Sequence, residues 1–178
     1  MKRAHVVLLA VLSVGLLADG ARVESAPSPQ AVRIAPADDA QRIADIVLRR
    51  NPTLSDAEGA RIGEAVVRSA DKYGLDPDLV TAVLIVESGA RPWAQSPKGA
   101  VGLMQVMPYM VEGMPLAGNL TTIESNVEAG CMILADNIRR LGEDDGISAY
   151  FWGSNIRGVA YLDRVRAARA QVRRLSES

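Results

Sequence analysis

Downstream of residue 37, apolar residues recur every three or four positions, the spacing of one face of an α-helix. "ADDAQRIADIVLRR" aligns Ile43, Ile46 and Val47. "SDAEGARIGEAVVRSADKYG" opens with Ser55 and Glu58 at capping-box spacing and puts Ile62, Ala65, Val66 and Ser69 on one stripe. "NVEAGCMILADNIRRLG" repeats the pattern with Val127, Cys131, Leu134, Ile138 and Leu141 before Gly142 stops it, and "GVAYLDRVRAARAQVRRL" has helical period to the end. No run of alternating β-branched residues competes with these. The pattern predicts a mainly α protein.

A fifth stretch, "YGLDPDLVTAVLIVESG", is apolar nearly all round. Its ends are legible: Asp76 as N-cap, Pro77 at the first helical position, Asp78 at the positive end of the dipole and Gly89 as terminator. A helix of this kind belongs in the middle of a fold. Glu87 lies one turn beyond Val83 and Leu84 and two beyond Val80, so its carboxyl rises from an apolar stripe at the negative end of the dipole. Both effects disfavour the charged form and predict a raised pKa, as a general acid requires. The competing reading is a solvated glutamate at a fraying helix end.

The pattern before residue 37 is different. Lys2 and Arg3 precede an apolar run from Val6 to Leu17, then small residues at Ala18 and Gly20. This is the anatomy of a secretory signal peptide, and the run is shorter than the roughly 20 residues that span a bilayer. Residues 1–20 are expected to direct export to the periplasm or medium, residues 21–37, with Pro27, Pro29 and Pro36, to form a flexible linker, and residues 38–178 to fold.

Composition narrows the chemistry. Twenty basic against 21 acidic side chains give a net charge of −1, without the basic field that nucleic-acid binding needs. The single histidine, His5, lies in the expected signal segment, so histidine-based triads and histidine-built metal sites are disfavoured, and neither a metal nor another cofactor is expected. The single cysteine, Cys131, cannot form an intramolecular disulfide and reads as a small core residue.

After Glu87 comes "SPKGAVGLMQVMP", with turn-formers Pro97, Gly99 and Gly102, then Gln105 between Met104 and Met107. A glutamine in such surroundings wants hydrogen-bond partners, which a cleft wall holding a polar ligand would supply. Trp93, Tyr109, Tyr150, Phe151 and Trp152 are five of the chain's seven aromatics. Their clustering near these motifs suggests flat surfaces for sugar rings, with core filler the ordinary alternative.

"YGLDPDLVTAVLIVES", "SPKGAVGLMQVMP", "NVEAG" and "SAYFWG" together resemble, in order and approximate spacing, the soluble SLT-type lytic transglycosylases of the lysozyme-like group, over roughly residues 60–168. The resemblance implies a lysozyme-like helical domain with a substrate cleft, acting on peptidoglycan glycan strands. Glu87 would protonate the bond between N-acetylmuramic acid and N-acetylglucosamine, then take a proton from the muramoyl C6 hydroxyl, leaving a 1,6-anhydro end. It further implies that Ser88, Ser96, Gln105 and Met107 contact sugar, that Tyr150 hydrogen-bonds or positions the carboxyl, and that Asn126 and Gly130 are structural. It leaves room for a partner in an envelope or secretion machine.

The chain departs from that family at Ala90, where an aromatic is common, at Trp93, where a small or polar residue is usual, and at Phe151, where asparagine follows the tyrosine. Hydrolysis with water ordinarily uses two carboxylates about 5 to 9.5 Å apart, yet no Asp or Glu falls between Glu87 and Glu112. A lysozyme-like muramidase would need a second acid from Asp71, Asp76 or another helix. A non-catalytic peptidoglycan-binding scaffold is the alternative outside enzymes.

Overall fold

The computed structural model describes residues 36–113 and 119–176, which lie within one compact unit, Ile34–Ser178. Six α-helices follow in order: α1 Pro36–Arg50, α2 Asp56–Tyr73, α3 Pro77–Ser88, α4 Ile123–Leu141, α5 Glu143–Trp152 and α6 Ala160–Ser176, with a 3₁₀ turn at Pro108–Val111. Among the described residues the only β pairing is two isolated bridges, Gln95 with Val101 and Val101 with Val106. The mainly α expectation therefore holds. The expected signal peptide and nearly all of the expected linker lie outside the described residues, and α1 takes Pro36 and Ala37 from that linker.

Local chemistry sets the helix ends where the sequence places them. At α2 the capping box is complete: the Glu58 N–H donates to Ser55 Oγ at 3.3 Å and the Ser55 N–H to Glu58 Oε2 at 2.8 Å. At α3 the Asp76 side chain accepts the Asp78 N–H at 2.7 Å, Pro77 occupies the first position, and Gly89 ends the helix in the left-handed region at φ 63°.

Leu79, Val80, Thr81, Ala82, Val83 and Leu84 are all buried, so α3 is the central helix the sequence calls for. Burying each valine or leucine contributes about 1.5–3 kcal/mol, enough to fix the helix although it lacks an amphipathic face. α1 packs on α2, α2 and α5 on α4, and α6 along α3. Ile43, Val47, Ile62, Val66, Val127, Cys131, Leu134 and Val165 join α3 in one core. The stripe expected on α4 runs out at its end, where Leu141 is exposed.

α6 is tied to the start of α3 by charge. Arg169 reaches Asp76 at 2.5 Å and Glu143 at 2.8 Å, and Arg173 reaches Asp76 at 2.8 Å. Burial opposes ionisation of Asp76, but Arg169, the Asp78 N–H and Arg173 hold its carboxyl below the usual carboxylate range. This anchor fixes α6 along α3 and so places the first turn of α6 opposite the last turn of α3.

Candidate active site

Glu87 stands on the last turn of α3, half-buried, at one side of a cleft of about 730 Å³ whose lining includes Ser96, Gln105, Met107, Tyr150, Phe151 and Trp152. Four of the residues expected around Glu87 from the sequence, Ser96, Gln105, Met107 and Tyr150, are thus brought together with it. The cleft also exposes the rings of Tyr109 and Phe151. Trp93 is exposed as well, but it is not among the cleft-lining residues.

The wall opposite α3 is a loop held by one buried amide. Asn126, near the start of α4, accepts the Met104 N–H at Oδ1 (2.8 Å) and donates from Nδ2 to the carbonyls of Val101 (2.9 Å) and Leu120 (3.0 Å). Gly102, at φ 77°, lets the loop approach this amide, because a Cβ there would lie 2.2 Å from Asn126 Nδ2. Gly130, one turn along α4, leaves space for Met104, whose Cβ would stand 2.5 Å from an added methyl. The structural role expected for Asn126 and Gly130 follows from these contacts.

Gln105 has left-handed backbone, φ 50°, uncommon for a residue other than glycine. Its amide nitrogen donates to the carbonyls of Ala94 (3.1 Å) and Gly102 (3.0 Å) and so closes the loop on itself. Ser96 accepts the Ala100 N–H at 3.0 Å within the same loop. The polar residues of this wall are therefore already oriented by backbone contacts.

Two expectations need correction. Ser88 is buried and absent from the cleft lining: its hydroxyl donates to the Leu84 carbonyl at 3.1 Å and accepts the Arg91 N–H at 3.2 Å, which secures the end of α3. Tyr150 lines the cleft, but its hydroxyl donates to the Met104 carbonyl at 2.8 Å and makes no hydrogen bond to Glu87. The phenol that reaches the carboxyl is that of Tyr161, on the first turn of α6, which donates to Glu87 Oε1 at 2.6 Å. Tyr161 belongs to the buried stripe of α6 with Leu162, Val165 and Val172, and a buried phenol needs a partner for its hydroxyl. A tyrosine within that apolar stripe was the signal available in the sequence.

The electrostatics suit a proton donor. Burial raises the Glu87 pKa; the Tyr161 hydrogen bond and the charge of Arg164 oppose this without cancelling it. Burial and the nearby Glu87 carboxylate push the phenols of Tyr150 and Tyr161 well up, so both hydroxyls remain donors. With Tyr161 on Oε1, the proton of the neutral acid belongs on Oε2.

Glu87 is the only carboxylate among the described residues lining the cleft, where the other charged groups are Lys98 and Arg157. Asp76 caps the far end of α3, 11 residues away or about 16 Å along the axis. Asp71 lines a separate groove with Ala37, Ala40 and Val67. Neither can act as a second acid facing Glu87. The indole N–H of Trp152, also part of the cleft lining, is buried without an acceptor among the described residues.

The family model described as "Transglycosylase SLT domain" matches residues 64–163, more than half of the chain and a span containing Glu87, Tyr161 and the described residues that line the cleft. Among curated relatives, a transglycosylase of Enterobacteria phage PRD1 is 33% identical over 93 residues, covering 52% of this chain and 35% of the phage protein. An endo-type membrane-bound lytic murein transglycosylase A of Klebsiella pneumoniae is 36% identical over 73 residues, covering 35% of this chain and 36% of that protein. The chain thus spans about a third of the length of these relatives. Among solved structures, an inactive mutant of the lytic transglycosylase Slt from Pseudomonas aeruginosa aligns with a TM-score of 0.47 at 21% identity, over 80% of this chain and 30% of that one. From the matched span and the motifs within it, the chain belongs to the transglycosylase SLT domain family.

Proposed function

We propose that the protein is a peptidoglycan lytic transglycosylase in which Glu87 serves first as general acid and then as general base. The observation that carries this reading is the solitary carboxyl: one acid of raised proton affinity, oriented by a phenol, in a cleft with no second carboxylate among its described lining residues. Family membership and the names of the curated relatives support the same substrate class.

In the first step Oε2 of Glu87 gives its proton to the oxygen joining N-acetylmuramic acid to N-acetylglucosamine, and the bond from muramoyl C1 to that oxygen breaks. The positive charge developing at C1 is met by the carboxylate just formed. In the second step that carboxylate takes the proton of the muramoyl C6 hydroxyl as O6 closes on C1. The 1,6-anhydro ring forms, no water is consumed, and Glu87 regains its proton. Tyr161 holds Oε1 throughout, so the same oxygen gives and takes the proton. Ser96, Gln105, Met107 and the ring of Tyr150 form the wall on which the glycan lies.

We place the protein in the envelope, delivered by residues 1–20. Curated relatives named as membrane-bound lytic murein transglycosylases support that location. No helix among the described residues is long and apolar enough to cross a membrane.

The test is mass spectrometry of fragments released from purified peptidoglycan by the protein and by Glu87→Gln. Anhydro-muramoyl ends that vanish in the variant are expected. Reducing ends would make water the nucleophile and the protein a muramidase; no fragments would favour a binding scaffold.

A further inference from the structure

Phe151, the aromatic that departs from the family pattern, stacks on Tyr161 with ring centroids 4.9 Å apart and planes 16° from parallel. One turn along α6 from Tyr161, the Arg164 guanidinium lies 5.7 Å from the Tyr161 centroid and 5.9 Å from that of Phe151, within the range of a cation–π contact. Tyr161 in turn holds Glu87. Arg166, Arg169 and Arg173 on the same helix are tied to acidic side chains, whereas Arg164 makes no ion pair among the described residues. A long side chain that could extend into water is instead associated with two rings beside the acid.

We propose that Arg164 is a positioning residue for Glu87, a cation kept beside the carboxyl by Phe151 and Tyr161 that steadies its ionised form between the two proton transfers. The inference rests on the acid/base reading of Glu87. Burial alone would keep Glu87 protonated but make it reluctant to give the proton up, because the carboxylate formed is a costly species; a nearby positive charge offsets that cost during the interval in which the carboxylate must exist. The charge of Arg164 acts on Glu87 in this direction. The other groups around the carboxyl are the Tyr150 phenol on α5, the Tyr161 phenol on α6, Lys98 and Arg157 on loops lining the cleft, and Arg50 and Arg91 beside the end of α3. None of these cations is stacked on the ring that bonds the carboxyl.

The experiment is a ¹³C NMR titration of the Glu87 carboxyl in the full chain, the resonance identified by its loss in Glu87→Gln, for wild type, Arg164→Gln and Arg164→Lys. With the charge removed, the midpoint should move to higher pH, and at a fixed pH the ratio of protonated to ionised carboxyl should rise about two- to threefold, the scale of an exposed charge interaction. Arg164→Lys should restore the wild-type midpoint. In the rate profile, the alkaline limb should shift upward in Arg164→Gln alone. An unchanged or lowered midpoint in Arg164→Gln overturns the proposal, as does a lysine variant that titrates like the glutamine one. The titration needs no turnover, so an absence of anhydro products would count against the transglycosylase reading while this result stood separately. Matching circular-dichroism melts establish that the variants are folded.

Discussion

Replacing Asn126 by alanine tests whether one amide holds the cleft wall. The side chain is buried and satisfies three backbone groups, the Met104 N–H and the carbonyls of Val101 and Leu120, at 2.8, 2.9 and 3.0 Å. Each such hydrogen bond is worth about 0.5–1.5 kcal/mol net, and a partner left buried and unsatisfied costs more than an absent bond. The expected loss is about 3 kcal/mol, or roughly 6–12 °C in Tm for a domain of this size. Urea unfolding followed by circular dichroism reads the first quantity and a thermal melt the second. Asn126→Asp separates clamp from space-filling: it keeps the shape but turns an acceptor oxygen toward two carbonyls. Burial and those carbonyls would raise the new carboxyl above its unfolded value, so the variant should be least stable above that raised pKa and recover as pH falls toward about 4. A loss below about 1 kcal/mol in Asn126→Ala, or an Asn126→Asp variant that is indifferent to pH, would refute the clamp.

The two tyrosines should separate in kinetics. Tyr161→Phe removes the donor to Glu87 and is expected to lower kcat on the order of 10- to 100-fold with KM little changed, whereas Tyr150→Phe releases only the Met104 carbonyl and should cost about 1 kcal/mol of stability with a smaller rate effect. Equal kcat losses in steady-state assays would contradict the assignment. Glu87→Gln should also change stability. Because burial raises the folded-state pKa of Glu87, its contribution is fully present below the unfolded carboxylate value and is lost as pH rises through the raised one. The variant should therefore match wild type in urea unfolding near pH 3.5 and exceed it near pH 8; a variant less stable at pH 8 would count against a desolvated acid.

The helix pattern carried far into the structure because it reflects burial. Ile62, Ala65 and Val66 on α2, Val127, Cys131 and Leu134 on α4, and the all-apolar α3 are core residues, and the capping box and Asp76 cap form at the positions where their spacing put them. α5 was not legible: only ten residues long, it carries buried residues, Gly146 to Ala149, without a strong periodic stripe. Glu87 was identifiable as a carboxyl whose burial is costly. Its partner was legible only as a tyrosine within an apolar stripe: Tyr150 and Tyr161 both carry hydroxyls that need partners, and only the docking of α6 on α3, set by Asp76 with Arg169 and Arg173 some 16 Å from the acid, decides which hydroxyl arrives. Ser88 follows the acid in sequence, but the helical turn that points Glu87 into the cleft points its neighbour inward, to the Leu84 carbonyl.

Placing the acid on the last turn of a core helix has an evolutionary consequence. The backbone that carries Glu87 belongs to the core, so amide exchange in α3 should follow global unfolding, as should exchange at the buried Leu103, Met104 and Val106, while the exposed loop tip at Pro97, Lys98 and Gly99 reports on smaller fluctuations. Glu87 and the solvent-facing tip of the cleft wall are thereby placed on segments of different mutational freedom. The exposed tip can drift and accept insertions without disturbing the core, and lineages carrying this helix can diversify in preference while the carboxyl stays where it is.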